Sequence, residues 1–211
     1  MFQFLAAQQG VELQPIIATH GFAASCDTQA QALDYGLSVQ WLECDARLTL
    51  GEVYNEVLQH ADQPLIAKFD DDDLYGSAYL ATAAAMLRTA NADIVGKFGH
   101  FVYLESADAV YLRCPHYDHR YSNFVPGATI VADTAAVQQL GFAATTLGED
   151  NSLMERAVCA GLRIYSGSPF GYCTVRGKQE KNHTWAVADD KIMAEATFVH
   201  RGQPGDFECV N

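Results

Sequence analysis

Four consecutive carboxylates, Asp70 to Asp73, follow the apolar run Leu65-Ile66-Ala67-Lys68-Phe69 and precede Leu74-Tyr75-Gly76 and a helix-like segment. Adjacent carboxylates repel one another unless a cation or hydrogen-bond donors neutralise them. Mg²⁺ and Mn²⁺ prefer oxygen ligands of this kind. Carboxylates at the C-terminal end of a strand also stand where open α/β sheets bind ligands. A metal–phosphate site is therefore the chemistry these residues suggest first. The plainer alternative is a solvated run that caps the next helix. A cap uses one Asp, however, and surface acidity does not explain a run set directly behind a buried strand.

Other residues offer chemistry on their own terms. Gly148-Glu149-Asp150-Asn151 precedes a helical stretch, 151–160, so Asp150 is either its N-cap or a general base held at a helix start. His183, in Lys181-Asn182-His183-Thr184-Trp185, is either a packed or surface histidine or a neutral nitrogen ligand. Arg176 and Lys178 nearby suit phosphate oxygens. His116-Tyr117-Asp118-His119 groups three potential ligands in a loop-like setting without H-E-x-x-H spacing. An EF-hand beginning at Asp70 fails, because Tyr75 and Ala81 occupy the positions that need Gly and Glu. A haloacid-dehalogenase-like phosphohydrolase, with D-x-D behind a strand, stays open as an alternative. Leu74 fits that pattern poorly, while Gly148-Glu149-Asp150 imitates its later acidic motif.

The elements that must position these groups alternate in type. Strands are expected at Gln14–Thr19, Leu37–Cys44, Leu65–Phe69 and Ala92–Phe98. A helix is expected over Thr49–Ala61, opened by a Thr49/Glu52 capping box, and another around Tyr79–Leu87. This order predicts an α/β fold with a mainly parallel sheet flanked by helices. The second half reads as smaller and antiparallel. It has a hairpin at Phe101–Glu105 and Val110–Arg113, a β-like run at Ser122–Ala132 broken by Pro126-Gly127, and a helix at Asn151–Ala160 stopped by Gly161. Short strands are expected at Arg163–Ser166 and Gly171–Arg176, and a helix at Asp189–Ala196. No linker or repeat interrupts the chain, so one domain, 1–211, is expected.

Composition narrows the partners. The 211 residues suffice for a sizeable core. A net charge of −13 argues against nucleic acid or an anionic membrane surface as the main partner. The six cysteines form no C-x-x-C pair and read as free thiols of a reducing compartment. The N-terminus has no basic, apolar leader pattern, and no apolar run reaches membrane-spanning length. A soluble, cytoplasmic chain is the expectation.

Taken in order, the motifs resemble family 2 glycosyltransferases of the GT-A fold. Leu50-Gly51-Glu52-Val53-Tyr54-Asn55-Glu56-Val57-Leu58-Gln59-His60-Ala61 is similar to that family's L-G-x-x-x-N-x-x-L-x-x-A helix. Ile66 to Gly76 resembles its strand ending in D-x-D-D. Gly127-Ala128-Thr129, Gly148-Glu149-Asp150, and Arg176 with His183-Thr184-Trp185 follow in the family's order, from Gln9 to about Trp185.

The resemblance implies a metal-dependent inverting transfer of a sugar from a nucleotide-sugar donor, a UDP-sugar favoured, to a glycan or other acceptor hydroxyl. Surface polysaccharide or glycan synthesis is the implied setting. Residues 1–98 would form the donor half and 99–211 the acceptor half with the tail. Asp72, Asp70 and His183 would hold Mn²⁺ or Mg²⁺. Asp70, Asp71, Asp73, Lys68, Asn55 and Arg176 would serve the donor, and Gly127, Thr129, Glu149 and Trp185 the acceptor. Asp150 would be the catalytic base.

The chain departs from the family at its start. Met1–Gly10 resembles the helix after the usual first strand, and Thr19-His20-Gly21-Phe22 replaces the usual Asp-rich turn. A missing strand implies a fragment of a longer chain, a partner-completed domain or a degenerate enzyme, with the gap met by a shifted topology, by pairing with a second copy, or left open. A glycosyltransferase-like domain that binds without turnover is the non-enzymatic alternative.

Overall fold

The computed structural model describes residues 1–177 and 187–205. Its first half runs α1 (Phe2–Ala6), β1 (Ile16–His20), α2 (Cys26–Asp34), β2 (Gln40–Cys44), α3 (Leu50–Gln59), β3 (Leu65–Ala67), β4 (Leu74–Tyr75), α4 (Tyr79–Thr89) and β5 (Ile94–Gly96). The second half runs β6 (His100–Leu104), β7 (Ala109–Arg113), β8 (Arg120–Ser122), a 3₁₀ turn (Gly127–Thr129), β9 (Val131–Asp133), α5 (Thr134–Leu140), α6 (Glu149–Cys159), β10 (Ile164–Ser166), β11 (Tyr172–Arg176), α7 (Asp189–Glu195) and β12 (Thr197–Arg201).

Local chemistry explains the helix starts. The expected capping box opens α3: Thr49 Oγ1 accepts from the Glu52 N–H, and the Glu52 carboxylate accepts the Thr49 N–H at 2.8 Å. Two helices go beyond the sequence expectation. Ser25 caps α2 through the Thr28 N–H at 3.1 Å, and Asp133 caps α5 through the Ala136 N–H at 3.0 Å. The helix expected from Asn151 begins earlier, at Glu149, behind Gly148 at φ +80°.

The strands form a parallel pair, β1–β2, and two five-stranded sheets, ordered β3-β9-β5-β10-β8 and β12-β7-β6-β11-β4. Helices flank them, as an α/β fold requires. Pairing is parallel at β1–β2, β5–β10 and β6–β11 and antiparallel elsewhere, so the antiparallel part is larger than the alternation suggested. The cause is the Pro126-Gly127 break. There the chain turns through the 3₁₀ segment, stapled by Thr129 Oγ1 to the Pro126 carbonyl at 2.7 Å, and β9 returns between β3 and β5. Nor does a helix follow the four Asp residues at once. Leu74-Tyr75 first pairs with β11.

Alternate residues sort onto the two faces of the β3-β9-β5 sheet. Ile66, Ala132 and Ile94 pack with Leu58 of α3, Val137 of α5 and Leu153 of α6. Ala67, Val131 and Val95 pack with Leu80 and Leu87 of α4. Burying a side chain such as Ile94 or Leu153, each 0% exposed, contributes about 1.5–3 kcal/mol. The five described cysteines are free. No helix among the described residues is long and apolar enough to cross a membrane.

His100, at the start of β6, is buried, and its Nδ1–H donates to the Phe98 carbonyl at 3.1 Å. Burial, with Arg113 beside it, pushes its imidazole down to about 4. The unfolded chain therefore takes up this proton near pH 6.5 while the folded chain does not. The stability His100 contributes is complete above that pH and declines as pH falls toward 4, by up to about 3 kcal/mol. Buried carboxylates such as Asp73 act in the opposite direction, so the comparison must be with His100→Gln. Urea unfolding from pH 7.5 to 4.5 should show the wild type losing more stability than that variant.

Candidate functional site

The site is built where the end of β3 meets the start of α6. Lys68, one residue past β3, points its ammonium to Asp150 Oδ2 at 3.0 Å and to Asp70 Oδ1 at 3.5 Å. It also lies 5.0 Å from the centre of the Tyr54 ring. Burial alone would push the Lys68 ammonium down, but the Asp70 and Asp150 carboxylates outweigh it and hold it above its ordinary range. Lys68 is thus a fixed cation between the two carboxylates that the sequence assigned to different tasks. Burial pushes the Tyr54 phenol up to about 12, so it faces the cation as a neutral ring.

The Asp run is held by tyrosines. The Asp70 N–H donates to Tyr75 Oη at 2.9 Å, and that hydroxyl donates to the Ala128 carbonyl at 2.8 Å, tying the run to the 3₁₀ turn. Tyr75 stacks on Phe69 with ring centres 3.9 Å apart. Asp73 is buried and accepts from the Tyr172 hydroxyl and from the Val175 N–H at 3.0 Å. Burial pushes its carboxyl up to about 7 against those hydrogen bonds. Burial likewise raises Asp70, against the pull of Lys68 and with Asp150 and Asp72 adding to the rise. Asp71 and Asp72 are exposed.

Oxygens of Asp70, Asp72 and Asp73 lie within 4.8 Å of one another. This donor set fits a hard divalent cation: carboxylate oxygens only, Asp70 and Asp73 with carboxyls raised by burial, and one member, Asp72, exposed to solvent. Asp70 and Asp72 are the suited ligands, with Asp73 held behind them by Tyr172.

Asp150 occupies the first turn of α6 without capping it, since no side chain makes a cap hydrogen bond there. Its Oδ2 is held by Lys68, while Oδ1 is buried without a hydrogen-bond partner among the described residues. A Cβ on Gly127 would overlap Asp150 Oδ2, so the 3₁₀ turn needs glycine to seat this carboxylate. Glu149 is buried next to it, its carboxyl raised by burial and by Asp150. These groups share one cleft of about 1360 Å³, lined also by His100, Arg113 and Phe124.

Two predicted site residues, Asn55 and Thr129, do not line this cleft, and Arg176 lines it while paired within the fold. Asn55 donates to the Phe142 carbonyl at 2.9 Å and accepts the Phe142 N–H at 2.7 Å, so it is joined to the 141–145 loop rather than turned to a donor. Gly51 serves the same loop: its N–H donates to the Thr145 carbonyl at 3.0 Å, and a Cβ there would overlap the Ala143 carbonyl. Arg156 adds a bond to the Leu140 carbonyl at 2.9 Å. The helix motif therefore clamps the loop leading to Asp150. Arg176 is buried against Asp189 Oδ1 at 3.0 Å and the Val187 carbonyl at 2.7 Å, because a desolvated guanidinium needs a carboxylate. Thr129 is fully buried, between Pro126 and the Lys97 N–H. His183, Trp185 and Lys178 lie outside the described residues. Tyr54, Tyr75 and Tyr172 escaped the sequence reading, since aromatics in a strand or on an apolar helix face look like core.

No family model and no curated protein matches the chain. Solved structures match its fold. TarS of S. aureus superposes with a TM-score of 0.62 at 14% identity, over 83% of this chain and 34% of that one. TarS 1–349 in complex with UDP gives 0.60 at 14%, over 84% and 56%. The mannosyltransferase PcManGT of Pyrobaculum calidifontis, in complex with GDP-Man and Mn²⁺, gives 0.61 at 15%, over 85% and 52%. The chain thus spans about half, or less, of the structures it matches. At these identities the likeness concerns architecture, and the chain has the mixed α/β, GT-A-like fold of glycosyltransferase structures.

Proposed function

We propose that this chain is a metal-dependent, inverting glycosyltransferase domain of the family 2 type, taking a nucleotide sugar as donor. The observation that carries this is Lys68, bonded at once to Asp70 of the acidic group and to Asp150. A surface run of Asp has no reason to share a half-buried lysine with a carboxylate 82 residues away. The complexes of matching structures with UDP and with GDP-Man and Mn²⁺ support a nucleotide-sugar donor and Mn²⁺ as the metal. A UDP-sugar is the favoured donor.

Asp70 and Asp72 would hold the cation, and when bound it offsets negative charge developing on the leaving diphosphate. Asp150 receives the acceptor hydroxyl proton on Oδ1, while Lys68 keeps the carboxylate in place through Oδ2. The deprotonated oxygen attacks the anomeric carbon opposite the departing diphosphate, which inverts the configuration. The transition state has oxocarbenium character, as in glycoside hydrolysis. Glu149 lines the acceptor side of the cleft. Gly127 acts through its lack of a side chain, and Asn55 through the loop it holds.

The test is calorimetric titration with UDP and GDP, with and without Mn²⁺, followed by a transfer assay with the matching sugar. Binding that needs both nucleotide and Mn²⁺ supports the proposal. Phosphate release from simple monoesters without nucleotide binding would favour the phosphohydrolase. Gly127→Ala probes the catalytic half. Its Cβ would fall 1.6 Å from Asp150 Oδ2, so the carboxylate must move by more than an ångström, and misplacement on that scale costs roughly a hundredfold in rate. Nucleotide binding should be preserved in that variant.

A further inference from the structure

The segment from the end of β7 to the 3₁₀ turn, 113–126, has both ends on the cleft wall and its middle outside. Arg113 at one end, and Phe124 and Pro126 at the other, line the cleft. His116, Tyr117, His119 and Arg120 stand beyond it and are exposed. The His116-Tyr117-Asp118-His119 group is therefore part of a rim. It is not a metal site: among the described residues, three potential ligands converge at the Asp run and not here.

The rim is held in one shape. The Phe98 ring stacks on Tyr117 with centres 4.5 Å apart and meets Phe124 edge to face at 5.6 Å. The Arg120 guanidinium lies 5.4 Å from the centre of the same Tyr117 ring. Ser166 ties these parts to the sheet: its Oγ accepts the Phe98 N–H at 2.9 Å, and β10 pairs it with Arg120 of β8. Ser122 Oγ donates to the Phe124 carbonyl at 2.8 Å, fixing the bend back to the cleft. Cys114, His116 and His119 stand at φ +45°, +74° and +49°, a region that residues with a side chain occupy where their surroundings impose it. Arg120 forms no ion pair among the described residues. Its position is set by a ring rather than by a carboxylate.

Charge selects the ligand. The chain carries 26 Asp and Glu against 13 Lys and Arg, yet 113–120 sets Arg113, Arg120, His116 and His119 against Asp118 alone. Around Asp150 the balance is the reverse, with Asp70 and Glu149 beside it and Lys68 between carboxylates. An anionic group is repelled at Asp150 and attracted at the rim. A guanidinium already stacked on a ring suits carboxylate or phosphate oxygens. Tyr117, 45% exposed, adds an apolar body with a polar tip, matched to the mixed polarity of a sugar ring. Resting on the acceptor role proposed for Asp150, we infer that the acceptor is an anionic saccharide of more than one unit. Its reacting hydroxyl lies at Asp150. A carboxylate or phosphate on a unit further along the chain lies on Arg120, flanked by His116 and His119.

The test is calorimetric titration without donor, using a galacturonate tetramer, a phosphorylated mannose oligomer and neutral maltotetraose. At least one anionic probe should bind the wild type about tenfold or more tightly than the neutral one, and added salt should weaken it. Which anion binds tells carboxylate from phosphate. Arg120→Gln should remove the preference while Tm moves by no more than about 2 °C. Arg120→Lys keeps the charge without the stacked fork and should retain part of the preference. His116→Asn with His119→Asn, a residue that tolerates positive φ, should weaken the anionic probe as well. If Arg120→Gln lowers Tm further, Arg120→Lys and the histidine pair decide. Binding of neither anion, equal binding of maltotetraose or of the sugar-acid monomer, or a preference intact in these variants overturns the inference. Binding to vesicles of anionic lipid but to no oligosaccharide overturns it in favour of a membrane surface. Titration of the same sample with UDP or GDP and Mn²⁺ separates the two readings. Nucleotide binding without anion preference sinks the rim alone, and anion preference without nucleotide binding sinks the transferase instead.

Discussion

Asp72→Asn is expected to abolish Mn²⁺-dependent nucleotide binding while leaving the fold intact. The three clustered carboxylates differ in what else they do. Asp70 is paired with Lys68, and its N–H is bonded to Tyr75. Asp73 is fixed by Tyr172 and Val175. Asp72 is exposed, so changing it removes a cation ligand and little packing. An amide keeps one oxygen but loses the charge that draws a divalent ion to such a site. Calorimetry should show the Mn²⁺-dependent affinity for UDP or GDP falling at least a hundredfold, roughly 3 kcal/mol. Tm without metal should move by no more than about 2 °C, as for an exposed substitution of small effect. Undiminished binding would move the cation elsewhere, and a large drop in Tm would make Asp72 a structural residue instead.

The Asp run was legible because it breaks a local rule: four like charges behind an apolar strand demand a neutralising agent. The α3 capping box and the helices around Leu80 and Leu153 were legible for a similar reason. Their signals lie within three or four residues along the chain. What binds the site together does not. Lys68 and Asp150 are 82 residues apart, Asn55 and Phe142 are 87 apart, and Tyr172 and Asp73 are 99 apart. Each of these residues has a sound local reading as a surface, helix-face or core residue, and the sheet order alone brings the partners together.

Asn55 shows the difference well. As part of a motif it suggested donor contact, yet the structure gives its amide to a loop backbone that would otherwise lack both a donor and an acceptor. Asp150 shows the converse. Its position suggested an N-cap, but the cap residue is Gly148, and the carboxylate turns inward to Lys68. The antiparallel entry of β9 was hidden behind one short signal, Pro126-Gly127, which marks a break without saying where the chain returns.

Asp150→Asn is expected to lower sugar transfer at least a hundredfold, the usual contribution of a positioned general base, and to leave nucleotide binding unchanged. The amide still reaches Lys68 and fits beside Gly127, but it cannot take a proton at the position of Oδ1. That oxygen is buried and has no hydrogen-bond partner among the described residues, as suits a group that receives an acceptor hydroxyl. Asp150→Glu separates charge from place. It restores the carboxylate but lengthens the side chain against a turn that has no room even for a Cβ on Gly127. It should therefore recover only part of the lost rate, and its Kd for the donor should match the wild type. If Asp150→Asn instead kept more than a tenth of wild-type transfer, the proton would have to leave by another group. Buried Glu149, whose carboxyl is already raised by burial beside Asp150, would be the next to replace.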